Sequence, residues 1–451
     1  MRYLIVGSGM RGICDCLAIL KKDPSASVYL VDTAEKFGGA VSGLAVEGFA
    51  VDPGVHLFDS IPRDFADFLD GIAAGGMKEI AVKSASTFNG VKTDGFSLPD
   101  LSTLSPEVKA KIKAELLDDC LVNRKVDDSL HGLFQERFGA TVSDVYSAIY
   151  RHIYSIQSPE VSRDAVHSTS LHRLKFDTDE EMIELKNRSA RLDNALAARR
   201  ASRDTSSESS VTVYPSDGRG MAGLNQDIQR WLAEAGVKIC LGVSISAVEK
   251  VGSVESKVIL SDDQTITVDR IIWSANNFEF ISNLCDQRHS SLSEHMHYAP
   301  MVLAVLVGEE SAFSDYTYMQ NFDVERVTFR SASAGSYSNQ TVGGRTFITC
   351  ECPASVGSTY WNNHDLLKED LTKDLLESGF IKSDRDITAH FFNAPRTFFA
   401  PKREFAEHFE PLAERAWADF GIFVKDPRVF FRREMIADSQ KLAESGFDRC
   451  A

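Results

Sequence analysis

Gly7-Ser8-Gly9-Met10-Arg11-Gly12, followed later by Asp32, are the first residues in the chain whose types and spacing could do chemistry. In a Gly-x-Gly-x-x-Gly turn, the first glycine permits a tight reversal. The second removes the Cβ that would stand between main chain and a diphosphate, and the third lets a helix pack closely on a strand. A helix starting in such a turn offers free N–H groups and partial positive charge to phosphate oxygens. Asp32 lies 20 residues past Gly12, where a carboxylate can accept hydrogen bonds from ribose hydroxyls. The chemistry implied is dinucleotide binding, and the acid disfavours a 2′-phosphate. The turn alone leaves NAD and FAD both open.

Those residues need elements to position them. Residues 2–6 (RYLIV) form a short apolar run of the kind a buried parallel strand shows. Residues 13–22 read as a helix with Ile13, Cys16, Leu17 and Leu20 on one face, broken at Pro24, and residues 28–31 as a second strand ending at Asp32. A mostly helical stretch is expected over 61–200, with helices at 64–72, 106–120, 130–138 and 142–149. Residues 186–210, rich in Arg, Ala, Ser and Asp, read as a loop or an exposed helix. From 211 the pattern returns to alternating strand and helix: strands at 211–214, 237–241 and 271–274, a helix at 221–235, and a hairpin at 258–268. Residues 300–350 are strand-rich, residues 365–378 form a helix, and a last helix starts near Met435. There is no internal repeat.

Composition narrows the function classes. The chain has 451 residues, so two or three domains are expected. Its net charge of −16 repels phosphate backbones, which excludes nucleic acid as an expected partner. Neither the eight cysteines nor the eleven histidines show zinc spacing, so no metal is expected and the thiols read as buried and reduced. No apolar run approaches the length of a membrane span, and the N-terminal strand leaves no room for a secretory leader, so the expected location is cytoplasmic. There is no GxSxG elbow and no P-loop.

The residues after Asp32 carry a resemblance. Asp32, Phe37-Gly38-Gly39 and then Gly48-Phe49-Ala50-Val51-Asp52-Pro53-Gly54-Val55-His56 resemble the flavin amine oxidase superfamily, which includes protoporphyrinogen oxidases, monoamine oxidases and UDP-galactopyranose mutases. Tyr214-Pro215-Ser216-Asp217-Gly218-Arg219-Gly220-Met221 is similar to that group's glycine turn before a helix. Residues 241–248 resemble its adenine-contacting strand, with Ile245 in the contacting position, and residues 270–276 its return to the nucleotide-binding core. Two departures stand out: Ala40 follows the glycine pair where many relatives have Arg, and Lys425-Asp426-Pro427-Arg428 replaces a glycine-rich signature.

The resemblance implies an α/β fold. A discontinuous Rossmann-type FAD-binding domain, glutathione-reductase-like, would comprise residues 1–60, 211–290 and 400–451. A second, α+β substrate domain would comprise 61–210 and 291–399. It implies FAD as cofactor, held by Gly7, Ser8, Gly9, Gly12, Asp32, Gly38, Gly39, Ile245 and Met435, and a small-molecule substrate. The first activity it implies is hydride transfer from that substrate to flavin N5. The second is a mutase reaction on a nucleotide sugar, in which reduced flavin attacks the anomeric carbon; the third is a flavin fold that binds without catalysis. His56 is the candidate at the flavin ring, as hydrogen-bond donor or base. Arg326 and Tyr318 lead the second-domain candidates, with Arg151, Tyr154, Arg173, Tyr316, Arg330 and Arg345 behind them.

Overall fold

The computed structural model describes residues 1–52, 54–118, 126–198, 210–251, 255–285 and 292–447. The apolar run Arg2–Val6 (β1) is the centre of a five-stranded sheet. Ser27–Asp32 (β2) and then Lys238–Leu241 lie on one side, Arg270–Trp273 and then Ile422–Val424 on the other, all parallel. Residues on both faces of β1 are buried, as its unbroken hydrophobicity requires. The strands end in register, Val6 beside Val31 and Trp273, and Leu241 beside Asp32. Their carboxyl ends therefore form one edge, the edge at which open α/β sheets take ligands.

Met10–Lys22 (α1) covers one face of this sheet and buries Ile13, Cys16, Leu17 and Leu20, the face its periodicity marks. The last helix, Arg432–Glu444, packs on α1. An antiparallel sheet of Ile245–Val251, Glu255–Leu260 and Thr265–Val268 covers the other face.

A seven-stranded sheet forms the second layer, in the order Thr388–Ala394, Met301–Glu309, Arg345–Pro353, Arg330–Ala332, Tyr318–Asn321, Ser84–Phe88 and Val91–Asp94. It is antiparallel except where Tyr318–Asn321 runs parallel to Ser84–Phe88. The helices Leu130–Phe138 and Ala140–Tyr154 build a separate aromatic core around Phe134, Phe138 and Tyr146.

The helices expected between 61 and 154 are present, with bounds moved by a few residues. The stretch is not mostly helical throughout, because Met77–Glu79, Ser84–Phe88 and Val91–Asp94 are strands. Ser84–Phe88 lacks an alternating apolar pattern, and its partner Tyr318–Asn321 lies far along the chain. That distant pairing and the local hairpin with Val91–Asp94 together set its conformation. Within 186–198, Ala190–Ala195 is helical; residues 199–209 of the expected loop lie outside the described residues. The six described cysteines are free thiols, five of them buried. Among the described residues no helix is long and apolar enough to cross a membrane.

Candidate functional site

β1 leads straight into the glycine turn. Gly7 has φ +109°, and a Cβ there would press on the Ala275 backbone nitrogen at 2.9 Å. A Cβ on Gly12 would collide with the Gly7 carbonyl. Both glycines are thus required inside the protein. Gly9 differs: its φ of −71° suits any residue, and a Cβ there would meet nothing within 4 Å. Its bare face looks into open space at the start of α1, a helix whose first turn has neither a side-chain cap nor an acidic residue.

Asp32 stands beside this turn. Its Oδ2 accepts from Ser8 N at 2.6 Å and Ser8 Oγ at 2.7 Å, and its Oδ1 accepts from Ala34 N at 2.9 Å. Val243 N bonds to the Asp32 carbonyl at 2.9 Å, which carries the chain past the carboxylate to Ile245. Gly38, at φ +105°, docks on the turn through a 3.0 Å bond from its N–H to the Ser8 carbonyl, and a Cβ on Gly39 would lie 3.1 Å from the Gly9 Cα. Two glycine turns thus meet over the edge of the parallel sheet. The fit to a diphosphate is a cradle of bare main chain that a side chain at residue 9 would fill.

A second group of polar residues lies where the 52–57 loop meets the seven-stranded sheet and the start of the last helix. Asp52 is buried, and its Oδ2 accepts from Tyr214 Oη and, at 2.9 Å, from Met221 N. The two resemblance segments 48–56 and 214–221 therefore meet at one carboxylate. Burial pushes this carboxyl above the usual range, against its hydrogen bonds from Tyr214 and Met221 and the charge of Arg432.

Arg432, the first residue of the last helix, donates from Nη1 to the Leu57 carbonyl at 2.7 Å and from Nη2 to His56 Nδ1 at 2.9 Å. A Cβ on Gly54 would strike Glu351 of the Arg345–Pro353 strand, so the loop passes directly over that buried carboxylate. Arg330 Nη2 donates to Glu351 Oε1 at 2.6 Å, and its guanidinium lies over the Phe398 ring at 5.4 Å. Burial works against the Arg330 charge, but Glu351 outweighs it and the net shift is upward.

No protein-family model matches the chain, and no curated protein matches it. Solved structures do. A reduced UDP-galactopyranose mutase aligns over 99% of this chain and 93% of its own at 15% identity, with a TM-score of 0.71. A candidate protoporphyrinogen oxidase of Exiguobacterium sp. 255-15 aligns over 98% of both chains at 14% identity and a TM-score of 0.66. A putrescine oxidase redesigned in its cofactor binding aligns over 99% of this chain and 98% of its own, at 13% identity and a TM-score of 0.61. The chain shares their fold.

On that fold the residues expected at the site divide. Gly7, Ser8, Gly9, Gly12, Asp32, Gly38 and Gly39 gather at the sheet edge. Met435 is partly buried against the core that includes α1. His56 lies in the loop held by Arg432. Tyr318 Oη shares a hydrogen bond with Ser97 Oγ at 2.8 Å. Arg326 is taken up elsewhere: it pairs with Asp374 at 3.0 Å and with Glu377, tying its turn to the His364–Ser378 helix. Arg345 pairs with Glu47 at 3.0 Å, and Tyr316 donates to Asp94 at 2.6 Å.

Three polar features escaped sequence reasoning: the Arg432 bonds to the 56–57 loop, the Arg330–Glu351 pair, and a buried lock on α1. In the lock, Asp15 and Lys425 are 0% and 1% exposed at their side chains and 2.9 Å apart. Ser274 and Ser439 also donate to Asp15, and Asp438 pairs with Lys425 at 2.5 Å. One signal was present, since Asp15 is an acidic residue within an otherwise apolar stretch of the helix, between Cys14 and Cys16. The segment that departs from the glycine-rich signature is thus anchored by charge. Arg11 completes the anchor, donating to Asn276 Oδ1 and to the Val429 carbonyl, each at 2.9 Å.

Proposed function

We propose that this protein is an FAD-dependent oxidoreductase that takes a hydride from a small-molecule substrate, the cofactor lying along the carboxyl edge of the five-stranded sheet. The observation that carries the reading is Gly9, a glycine demanded by neither backbone angle nor packing, whose bare face opens at an uncapped helix N-terminus. A diphosphate needing that space explains it. Asp32 would hold the adenosine ribose, and Gly38 and Gly39 would let main chain run beside the cofactor. The sequence resemblance and the fold shared with the mutase and oxidase structures favour FAD over NAD.

Bound FAD would supply a hydride acceptor at flavin N5. The chain's own residues would position and enclose. His56 would present a hydrogen bond at the ring, Tyr318 and the Arg330–Glu351 pair would line the substrate side, and Phe398 would exclude water. The division into a cofactor domain (1–60, 211–290, 400–451) and a substrate domain (61–210, 291–399) belongs to this proposal.

A second reading, reversible isomerisation of a nucleotide sugar on reduced flavin, is favoured by the likeness to the mutase, whose TM-score of 0.71 is the highest of the three. Purified protein reconstituted with FAD should turn yellow and keep the flavin through gel filtration. Protein that takes up no FAD would sink both readings. Turnover that consumes an electron acceptor supports the oxidoreductase; isomerisation of a nucleotide sugar by reduced protein, with no acceptor consumed, supports the mutase.

A further inference from the structure

We propose that Arg432 fixes the proton of His56 on Nε2, so that this ring is a hydrogen-bond donor to the site and not a base. A guanidinium has only donors and keeps its proton throughout the working range. Arg432 is held in place: Nη1 bonds to the Leu57 carbonyl at 2.7 Å and the cation lies over the Phe58 ring at 5.1 Å. Its Nη2 reaches His56 Nδ1 at 2.9 Å, so Nδ1 must be the acceptor. A neutral imidazole that accepts at Nδ1 carries its hydrogen on Nε2. Protonating Nδ1 would set N–H against N–H and place a second cation at hydrogen-bond distance.

Asp52 acts electrostatically on Arg432, and Glu351 is paired with Arg330 at 2.6 Å. Glu351 is thus engaged by a guanidinium, whereas Asp52 is bonded to Tyr214 Oη and Met221 N and meets Arg432 only through its charge. Nε2 lies 3.8 Å from where a Cβ on Gly54 would sit, on the side of the loop that faces Glu351. Arg432 is accordingly a positioning residue: it acts through His56. What His56 then donates to, a flavin or substrate oxygen or nitrogen, rests on the flavoenzyme reading; the position of the proton does not.

The test is nitrogen NMR of the full chain labelled with ¹⁵N-histidine, with His56→Gln used for assignment. At pH 7 the expected spectrum has a bare Nδ1 and a protonated Nε2. Arg432→Lys keeps a donor and should keep the pattern; Arg432→Met removes the donor and should give mixed tautomers at the same pH. A protonated Nδ1 in the wild type at pH 7, or an unchanged nitrogen pattern in Arg432→Met, would overturn the proposal. Should Arg432→Met fail to fold, the wild-type spectrum decides alone. FAD uptake is measured separately on the same samples, so loss of the flavoenzyme reading and loss of the tautomer assignment are distinguishable. In turnover, His56→Gln, which can place an N–H at the Nε2 position, should retain more activity than His56→Asn, which cannot reach it. The reverse order contradicts a donor at Nε2.

Discussion

Gly7 and Gly12 are glycines because a side chain there would press on neighbouring main chain, whereas Gly9 has room for one. This separates folding from binding at neighbouring positions. Gly9→Val should change stability by no more than about 1 kcal/mol, the scale of a helix-cap change, while FAD affinity falls at least tenfold, about 1.4 kcal/mol or more. Gly12→Ala should cost about 1–3 kcal/mol of stability through overpacking. Denaturation and FAD titration of both variants read this directly, and a Gly9→Val variant that binds FAD normally removes the cradle. Asp52 makes a second residue-scale prediction. Its folded pKa is raised, so its contribution to stability is fully present below the unfolded value of ~3.9 and is lost as pH rises through the folded value. Asn at this position can still accept from Tyr214 Oη and Met221 N. The stability of Asp52→Asn relative to wild type should therefore grow from pH 4 to pH 8 in urea titrations; a difference that shrinks with rising pH would show that the carboxylate is not strained by burial. The glycines were legible from sequence because their roles are local. Arg432 was not, because its partner His56 is 376 positions away and a first-turn arginine is otherwise an ordinary surface residue.

Elements explain why the five-stranded sheet and its glycine turn could be read in advance and the second sheet only in part. β1, α1 and β2 are adjacent in the chain, and each is buried as its own apolar run marks it. In the second layer, Ser84–Phe88 reads Ser-Ala-Ser-Thr-Phe; it forms a hairpin with Val91–Asp94, and its parallel pairing with the distant Tyr318–Asn321 joins that hairpin to the sheet. The same distance effect hid the lock between α1 and the last segment. Lys425 follows directly on the Ile422–Val424 strand, and its ammonium reaches Asp15 within α1 and Asp438 within the last helix. Removing one partner of such a pair strands a buried charge, so Lys425→Met should cost about 3–5 kcal/mol. Replacing both, Asp15→Leu with Lys425→Met, should recover most of that loss. Hydrogen exchange should localise the damage in the single variant to α1 and residues 422–444. Uniform loss across both sheets would mean that the pair does not act as a local lock.

At the scale of the molecule, the sheet edge and the 52–57 loop are one continuous arrangement, because Gly38 is bonded to the glycine turn and Asp52 to the start of the Gly220–Glu234 helix. Asn225 of that helix donates to the Val41 carbonyl at 2.7 Å, just past the glycine pair. A ligand at the edge therefore bears on elements from three stretches of chain at once. Ligand that binds only the folded state stabilises it by about 2.7 kcal/mol at a hundred times its dissociation constant. If the glycine turn holds a diphosphate and Asp32 a ribose, ADP alone should raise the unfolding midpoint, and riboflavin, which lacks both groups, should not. FAD should raise it further. Because the chain carries a net charge of −16, an anionic ligand meets long-range repulsion that salt screens. FAD association should accordingly quicken when ionic strength rises from about 0.01 to 0.15 M, where the screening length falls from about 30 to about 8 Å. Stopped-flow flavin fluorescence measures this. A rate that falls steeply with salt would mean that local basic side chains overrule the field of the whole molecule and draw the cofactor in.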